Sequence, residues 1–167
     1  LSLSDAPKAD LELVGFWLGL VRVFSAREYQ QEMGYLGPDL LDPDFDIDEA
    51  VRRIEAEPDR EIGRALLEQH KLAGIGNEYR AEINFLAGTH PAELVRDVDV
   101  EKHVRLARRL MWANKDAPVR VTTGVKRAGE TSYVFGRNNK PCRRCGTLIT
   151  KGFLGGEGDL ERVIWWC

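Results

Sequence analysis

The segment LLEQHKLAGIGNEYRAE, residues 66–82, decides the fold of this chain. Apolar and small residues recur at helical spacing before it and into its first half, so we predict a helix over residues 60–72. Gly74 and Gly76 end that helix in a tight turn, and Gly74 suits a left-handed C-terminal position. Asn77 then begins a second helix, over residues 77–87. It acts there as the N-cap, as a contact for a phosphate, or as both.

The flanking residues predict a mainly α-helical chain with a small β part. Asp46, followed by Glu49, is typical of an N-cap, and the helix that it begins stops before Pro58. The longest helix is predicted over residues 101–114, with a helpful Glu101–Arg105 pair. Residues 11–24 are rich in β-branched and aromatic residues, which indicates one or two strands.

All three cysteines lie near the end of the sequence, where Cys142 and Cys145 form a C-x-x-C pair and Cys167 follows 22 positions later. Two predicted strands, over residues 147–154 and 162–166, flank a glycine-rich turn, so the pattern is that of a zinc ribbon. Three cysteines leave a tetrahedral zinc site one ligand short, and we expect the fourth ligand to lie beyond the last residue given. The odd, clustered count favours a metal site in a reducing, intracellular compartment over a disulfide framework.

Charge is distributed unevenly along the 167 residues, although the net charge is only −3. From Val125 onward there are eight basic and four acidic residues. A basic tail suits a polyanion, although an ordinary solvated surface would show the same balance. Arg162 is the first residue after the glycine turn, where its guanidinium either clamps a phosphate or keeps the surface soluble. The sequence has no apolar run long enough to span a membrane.

The segments quoted above resemble the formamidopyrimidine-DNA glycosylase / endonuclease VIII family, and most closely its actinobacterial endonuclease VIII-like members. Residues 66–91 (LLEQHKLAGIGNEYRAEINFLAGTHP) resemble the helix–two-turns–helix (H2TH) element of that family. Residues 133–167, from YVFGRNNKPCRRCGTLI to ERVIWWC, resemble its C-terminal zinc finger. The connector LGPDLLDPDF, residues 36–45, is also similar. Two independent motifs in the family's order make the resemblance specific.

The resemblance implies three parts: strands left from an N-terminal β-sandwich (1–33), an H2TH domain (34–124) and a zinc-finger hairpin (125–167). It implies a bacterial, cytoplasmic and nucleoid-associated monomer that binds double-stranded DNA with oxidised bases or abasic sites. Members excise the base and nick the strand. The implied DNA contacts are Asn77, Gly76, Arg137 and Arg162, with Arg162 also the catalytic proton donor in δ-elimination. The implied Zn²⁺ ligands are Cys142, Cys145 and Cys167.

Departures from the family pattern leave other functions open. The family's nucleophile is an N-terminal proline amine, whereas this sequence starts with Leu1 and Ser2, so we expect this chain alone to be inactive. His70 replaces the arginine usual in the family, which puts any role of that position in doubt. The alternatives are a non-catalytic DNA- or RNA-binding module with a zinc ribbon, and a zinc-ribbon adaptor that binds proteins.

Overall fold

A computed structural model describes residues 23–154 and 162–167 of the chain. The chain divides into two compact units, residues 1–34 and residues 35–167. The described part of the first unit contains one short helix, α1. The strands predicted within residues 11–24 fall almost entirely outside the described residues.

The second unit contains four α-helices, one 3₁₀ helix and one two-stranded sheet within its described residues. In chain order the elements of both units are α1 (Tyr29–Met33), α2 (Ile47–Glu55), α3 (Ile62–Ala65), α4 (Asn77–Ala87), the 3₁₀ helix Val95–Asp97, α5 (Val100–Asn114), β1 (Thr150–Leu154) and β2 (Arg162–Trp166). This arrangement confirms the prediction of a mixed helical chain with a small sheet at its end. None of the helices in the described ranges is long and apolar enough to cross a bilayer.

Helix α2 begins where its predicted capping residue places it, and α5 begins at Val100, one residue before its predicted start. The Asp46 carboxylate accepts a hydrogen bond from the Glu49 N–H at 2.9 Å, and Asp99 caps α5 in the same way. On α5, Arg105 donates to Glu101 at 2.7 Å, as the four-residue spacing predicts. These cap and side-chain interactions form as the sequence predicts because both partners of each lie within about one helical turn.

The predicted helix over residues 60–72 is wrong, because α3 is a single turn. After Ala65 the backbone tightens: the N–H groups of Leu67 and Glu68 donate to carbonyls three residues earlier, at 2.9 and 3.2 Å. Gln69 then closes the following turn, since its side chain accepts from Gly74 N–H and donates to the Ile75 carbonyl. Residues 66–76 are therefore two consecutive turns rather than the end of a long helix.

Helix α4 lies between two hydrophobic cores and is buried on nearly all sides. The first core joins it to α2, α3 and α5, and includes Leu40, Ile54, Ile62, Leu66, Ile83 and Val104. The second core joins it to the C-terminal hairpin, and includes Ala81, Phe85, Val134, Ile149, Leu154 and Ile164. This double packing explains why the polar residues of α4 are buried as well.

The hairpin is antiparallel, with Thr150 opposite Trp166 and Leu154 opposite Arg162. Residues 155–161, which connect the strands, lie outside the described residues. The predicted first strand began at residue 147, but β1 begins at Thr150. The preceding residues instead pair back toward the cysteine turn: Ile149 N–H donates to the Lys140 carbonyl at 3.0 Å, and Leu148 forms a bridge with Pro141.

Candidate nucleic-acid interface

The N-terminus of α4 has no side-chain cap. Gly76 occupies the N-cap position in an extended conformation, with φ −108° and ψ −179°, and Asn77 is the first helical residue. The prediction of Asn77 as the N-cap is therefore wrong. No described side chain caps the first turn of this eleven-residue helix, and Gly76 beside it is exposed. Its first N–H groups are thus available to an anion, such as a phosphate.

The side chain of Asn77 reaches the hairpin instead of its own helix. Its amide nitrogen donates to the Val163 carbonyl at 2.8 Å, and its oxygen accepts from the Arg80 guanidinium. Asn77 thereby contacts the residue next to Arg162, the other residue predicted to contact DNA, although the two lie far apart in the sequence. The second N–H of the Asn77 amide can still donate to a ligand.

Arg162 begins β2 and is exposed, whereas Ile164, on the same side of the strand, is buried. Burial along β2 therefore does not alternate simply between its two faces. The placement of Arg162 at the hairpin tip involves residues 155–161 and so falls outside the described residues. Its catalytic and DNA-binding roles stay predictions.

Arg80 donates hydrogen bonds to the Asn77 side chain and to the backbone of β2, and no sequence pattern predicts this role. Its side chain is fully buried and donates to the carbonyls of Val163 at 3.0 Å and Gly63 at 3.4 Å. Burial, together with the positive charge of Arg162, lowers the pKa of Arg80 to about 10, so its guanidinium is still charged at neutral pH. No periodicity marks this residue, because its acceptors come from distant elements.

Glu82 is the second fully buried ionisable group on α4, and it too was missed. Its carboxylate accepts hydrogen bonds from three consecutive backbone N–H groups, those of Tyr133, Val134 and Phe135, each at 2.8 Å. It also accepts from the hydroxyl of Thr122. One side chain therefore fixes the backbone that leads into the cysteine turn.

Arg137, a predicted DNA contact, is half-buried and forms hydrogen bonds with residues close to it in the sequence. Its guanidinium donates to the Pro141 carbonyl at 2.9 Å and to that of Tyr133, and burial lowers its pKa. These bonds brace the segment that precedes Cys142. Its place among the DNA-binding residues, like that of Gly76, stays a prediction.

The three cysteines converge, as the sequence predicts for a metal site. Their sulfur atoms all lie within 4.8 Å of one another, and those of Cys145 and Cys167 are 3.3 Å apart. Three thiolates around one Zn²⁺ would have sulfurs about 3.8 Å apart, given Zn–S bonds of about 2.3 Å. The described residues supply no fourth ligand within this cluster. The residues present therefore fit three of the four positions of a structural zinc site.

Hydrogen bonds prepare the cysteine turn for a metal. The Arg144 N–H donates to the Cys142 sulfur at 3.3 Å. Bonds from Thr147 lower the pKa of Cys145 to about 7, whereas the hydrogen bond with Cys145 raises the pKa of Cys167 to about 12. The Arg144 guanidinium also donates to the Phe85 carbonyl at 2.9 Å and lies 4.1 Å from the centre of that ring. The turn is thus docked onto α4.

Comparison with known proteins identifies the helical part. Residues 36–123 match the family model described as "Formamidopyrimidine-DNA glycosylase H2TH domain". The chain is 42% identical over 162 residues to "Probable endonuclease 8 2" of Streptomyces coelicolor, covering 95% of this chain and 58% of that protein. It is 41% identical over 160 residues to "DNA-(apurinic or apyrimidinic site) lyase Nei2" of Mycolicibacterium smegmatis, covering 95% of this chain and 62% of the relative.

A solved structure shares the fold. The Lactococcus lactis Fpg in complex with DNA that contains an abasic site superposes with a TM-score of 0.69 at 22% identity, over 86% of this chain and 54% of that one. The chain thus spans little more than half the length of that protein.

We expect Glu82→Gln to destabilise the fold by about 1.5–3 kcal/mol, because a neutral amide has one oxygen where the carboxylate accepts from three N–H groups and a hydroxyl. Urea unfolding of both proteins measures this difference. Glu101→Gln, which removes the same charge from an exposed α5 carboxylate, should cost less than about 1 kcal/mol. Equal losses in the two variants would contradict the role given to Glu82.

Proposed function

The chain belongs to the formamidopyrimidine-DNA glycosylase H2TH family, and we propose that it is the damaged-DNA binding part of a bifunctional DNA glycosylase/AP lyase. Such an enzyme excises oxidised bases and cleaves the abasic strand. The observation that carries the proposal is the hydrogen bond from the Asn77 amide to the carbonyl next to Arg162. This hydrogen bond links the H2TH element to the zinc-finger hairpin, and each of these two motifs resembles the family independently.

Phosphates would bind this surface in two ways. The uncapped N–H groups at the start of α4 and the second N–H of Asn77 would donate hydrogen bonds to one phosphate. Arg162 would bind another phosphate with its planar guanidinium, which matches phosphate oxygens in a bidentate manner. Contacts of this kind give salt-dependent affinity with little sequence preference, which suits a protein that searches for lesions.

Arg162 would also assist strand cleavage. When the bond between the sugar and its phosphate breaks, negative charge grows on the departing phosphate oxygens. A guanidinium bound there stabilises that charge, and the resemblance assigns it the proton donated in δ-elimination. Arg162 does not begin the reaction, because imine formation at the sugar requires a free amine. We therefore propose that the nucleophile is the N-terminal proline amine that the resemblance implies, and that Arg162 acts after it.

We propose that Zn²⁺ binds Cys142, Cys145 and Cys167 together with a fourth ligand. The ion would supply no chemistry at the sugar; it would cross-link the cysteine turn to the end of β2. Because Cys167 follows β2 directly, this cross-link would limit the motion of the strand that carries Arg162. Metal binding and DNA binding would then be coupled through the hairpin.

A first test measures DNA binding by variants of the two contact residues. Arg162→Ala and Asn77→Ala should each weaken binding to a duplex containing a tetrahydrofuran abasic-site analogue by about tenfold at low salt, since each removes a charged or hydrogen-bonded phosphate contact. Fluorescence anisotropy at two salt concentrations gives the affinities. Arg105→Ala, which removes an exposed arginine from α5, should change affinity less than twofold at the higher salt. If neither contact variant binds more weakly than this control, the nucleic-acid function fails at its named residues.

A second test separates catalysis by this chain from binding alone. The chain is incubated with abasic duplex and sodium borohydride, which traps an imine as a covalent adduct. We expect no adduct, because no residue assigned to this surface carries the proline amine that the resemblance implies, and the guanidinium of Arg162 cannot replace it. A trapped adduct would show that this chain carries its own nucleophile, and would contradict the assignment of that role to an N-terminal proline.

A further inference from the structure

The buried charge of Arg80 is hydrogen-bonded to uncharged groups and not to a carboxylate within the described residues. Another fully enclosed cation, Lys71, has its ammonium 2.9 Å from the carboxylates of both Glu57 and Glu68. No carboxylate within residues 23–154 or 162–167 pairs with Arg80, and its partners there are oxygens of uncharged groups. Burying a charge in this way is costly, so a gain elsewhere is expected to compensate for it.

The partners of Arg80 belong to three different elements. One nitrogen of its guanidinium faces the Asn77 side-chain oxygen on α4 and the Val163 carbonyl on β2, at 3.0 Å from the latter, with the Arg162 carbonyl at 3.5 Å. The other terminal nitrogen faces the Gly63 carbonyl on α3, at 3.4 Å. A planar group with donors on both arms can hold three elements in one geometry.

We infer that Arg80 is a positioning residue for DNA binding, which fixes the Asn77 side chain and strand β2 relative to each other. Asn77 and Arg162 then meet the DNA backbone with a set spacing. This inference rests on the proposed function. Arg80 itself does not contact DNA in this account, because its side chain is fully buried.

The shape of the arginine is essential to this role, and its charge alone does not suffice. A lysine at the same position would keep the positive charge, but its single nitrogen cannot reach acceptors on α3 and β2 together. Arg80→Lys therefore separates positioning from electrostatics. If Arg80 served only to add positive potential near the bound phosphate, the lysine variant would bind DNA as the wild type does.

The test is a double-mutant cycle on the zinc-loaded chain with the tetrahydrofuran duplex as probe. Arg80→Lys should weaken binding about tenfold. In an Arg162→Ala background the same change should cost clearly less than tenfold, because one of the two contacts that Arg80 positions is already gone. Arg80→Gln, which keeps an amide donor, replaces the lysine variant in the cycle if that variant does not fold.

Arg108 offers a matched control. Arg108 lies on α5 and also donates to main-chain carbonyls, those of Leu40, Asp42 and Pro43. None of the hydrogen bonds that it forms within the described residues reaches β2. Arg108→Lys should change affinity less than twofold, and any loss should add to that of Arg162→Ala. The inference would be overturned if Arg80→Lys caused no loss of DNA affinity, or if its loss simply added to the loss from Arg162→Ala.

Amide hydrogen exchange tests the link between Arg80 and β2 without DNA, and therefore separately from the proposed function. In Arg80→Lys the amides of β2 should exchange at least tenfold faster than in the wild type, while those of α5 stay unchanged. If the wild-type chain shows no salt-dependent binding to the duplex, the proposed function fails, and faster exchange still establishes the link between Arg80 and the strand. Unchanged exchange in β2 would overturn the link itself.

Discussion

Two buried ionised side chains on one helix hold this structure together. Arg80 and Glu82 are both buried on α4, and a buried charge without hydrogen-bonding partners would strongly destabilise the fold. The C-terminal part of the chain supplies those partners from its backbone: carbonyls of β2 for Arg80, and the N–H groups of residues 133–135 for Glu82. The hairpin and the loop before it must therefore stay where α4 places them, and the apolar cluster beneath the hairpin reinforces the same position.

This constraint gives the proposed interface its geometry. The uncapped N-terminus of α4 and the exposed Arg162 come from different motifs, yet a chain of hydrogen bonds through Asn77 connects them. The cysteine cluster lies at the opposite end of β2 from Arg162, so a metal there would anchor the far end of the same strand. A helix terminus, a strand and a cysteine cluster are thus linked through β2.

Interactions within one turn of helix were predictable from the sequence, and those between distant elements were not. Asp46 and Asp99 each cap a helix by accepting a hydrogen bond from the N–H group three residues further along the chain. The close spacing of Cys142 and Cys145 indicates a metal site by itself. The early end of α3 was missed because Gln69 closes the next turn with its side chain. The hydrogen bonds of Asn77 and Arg80 to the Val163 carbonyl were missed because that carbonyl lies more than 80 residues away in the sequence. Buried polar groups of this kind carry no periodic signal, and only the three-dimensional partner explains them.

The claim that α4 and the hairpin form one DNA-holding surface is tested most directly by an NMR titration of the zinc-loaded chain with a duplex containing an abasic-site analogue. The backbone amides of residues 76–79 and of residues 162–164 should shift together and follow one binding curve, because one ligand contacts both groups. The amides on the outer side of α5 should not respond. Shifts confined to one of the two segments, or two curves with different affinities, would contradict the account.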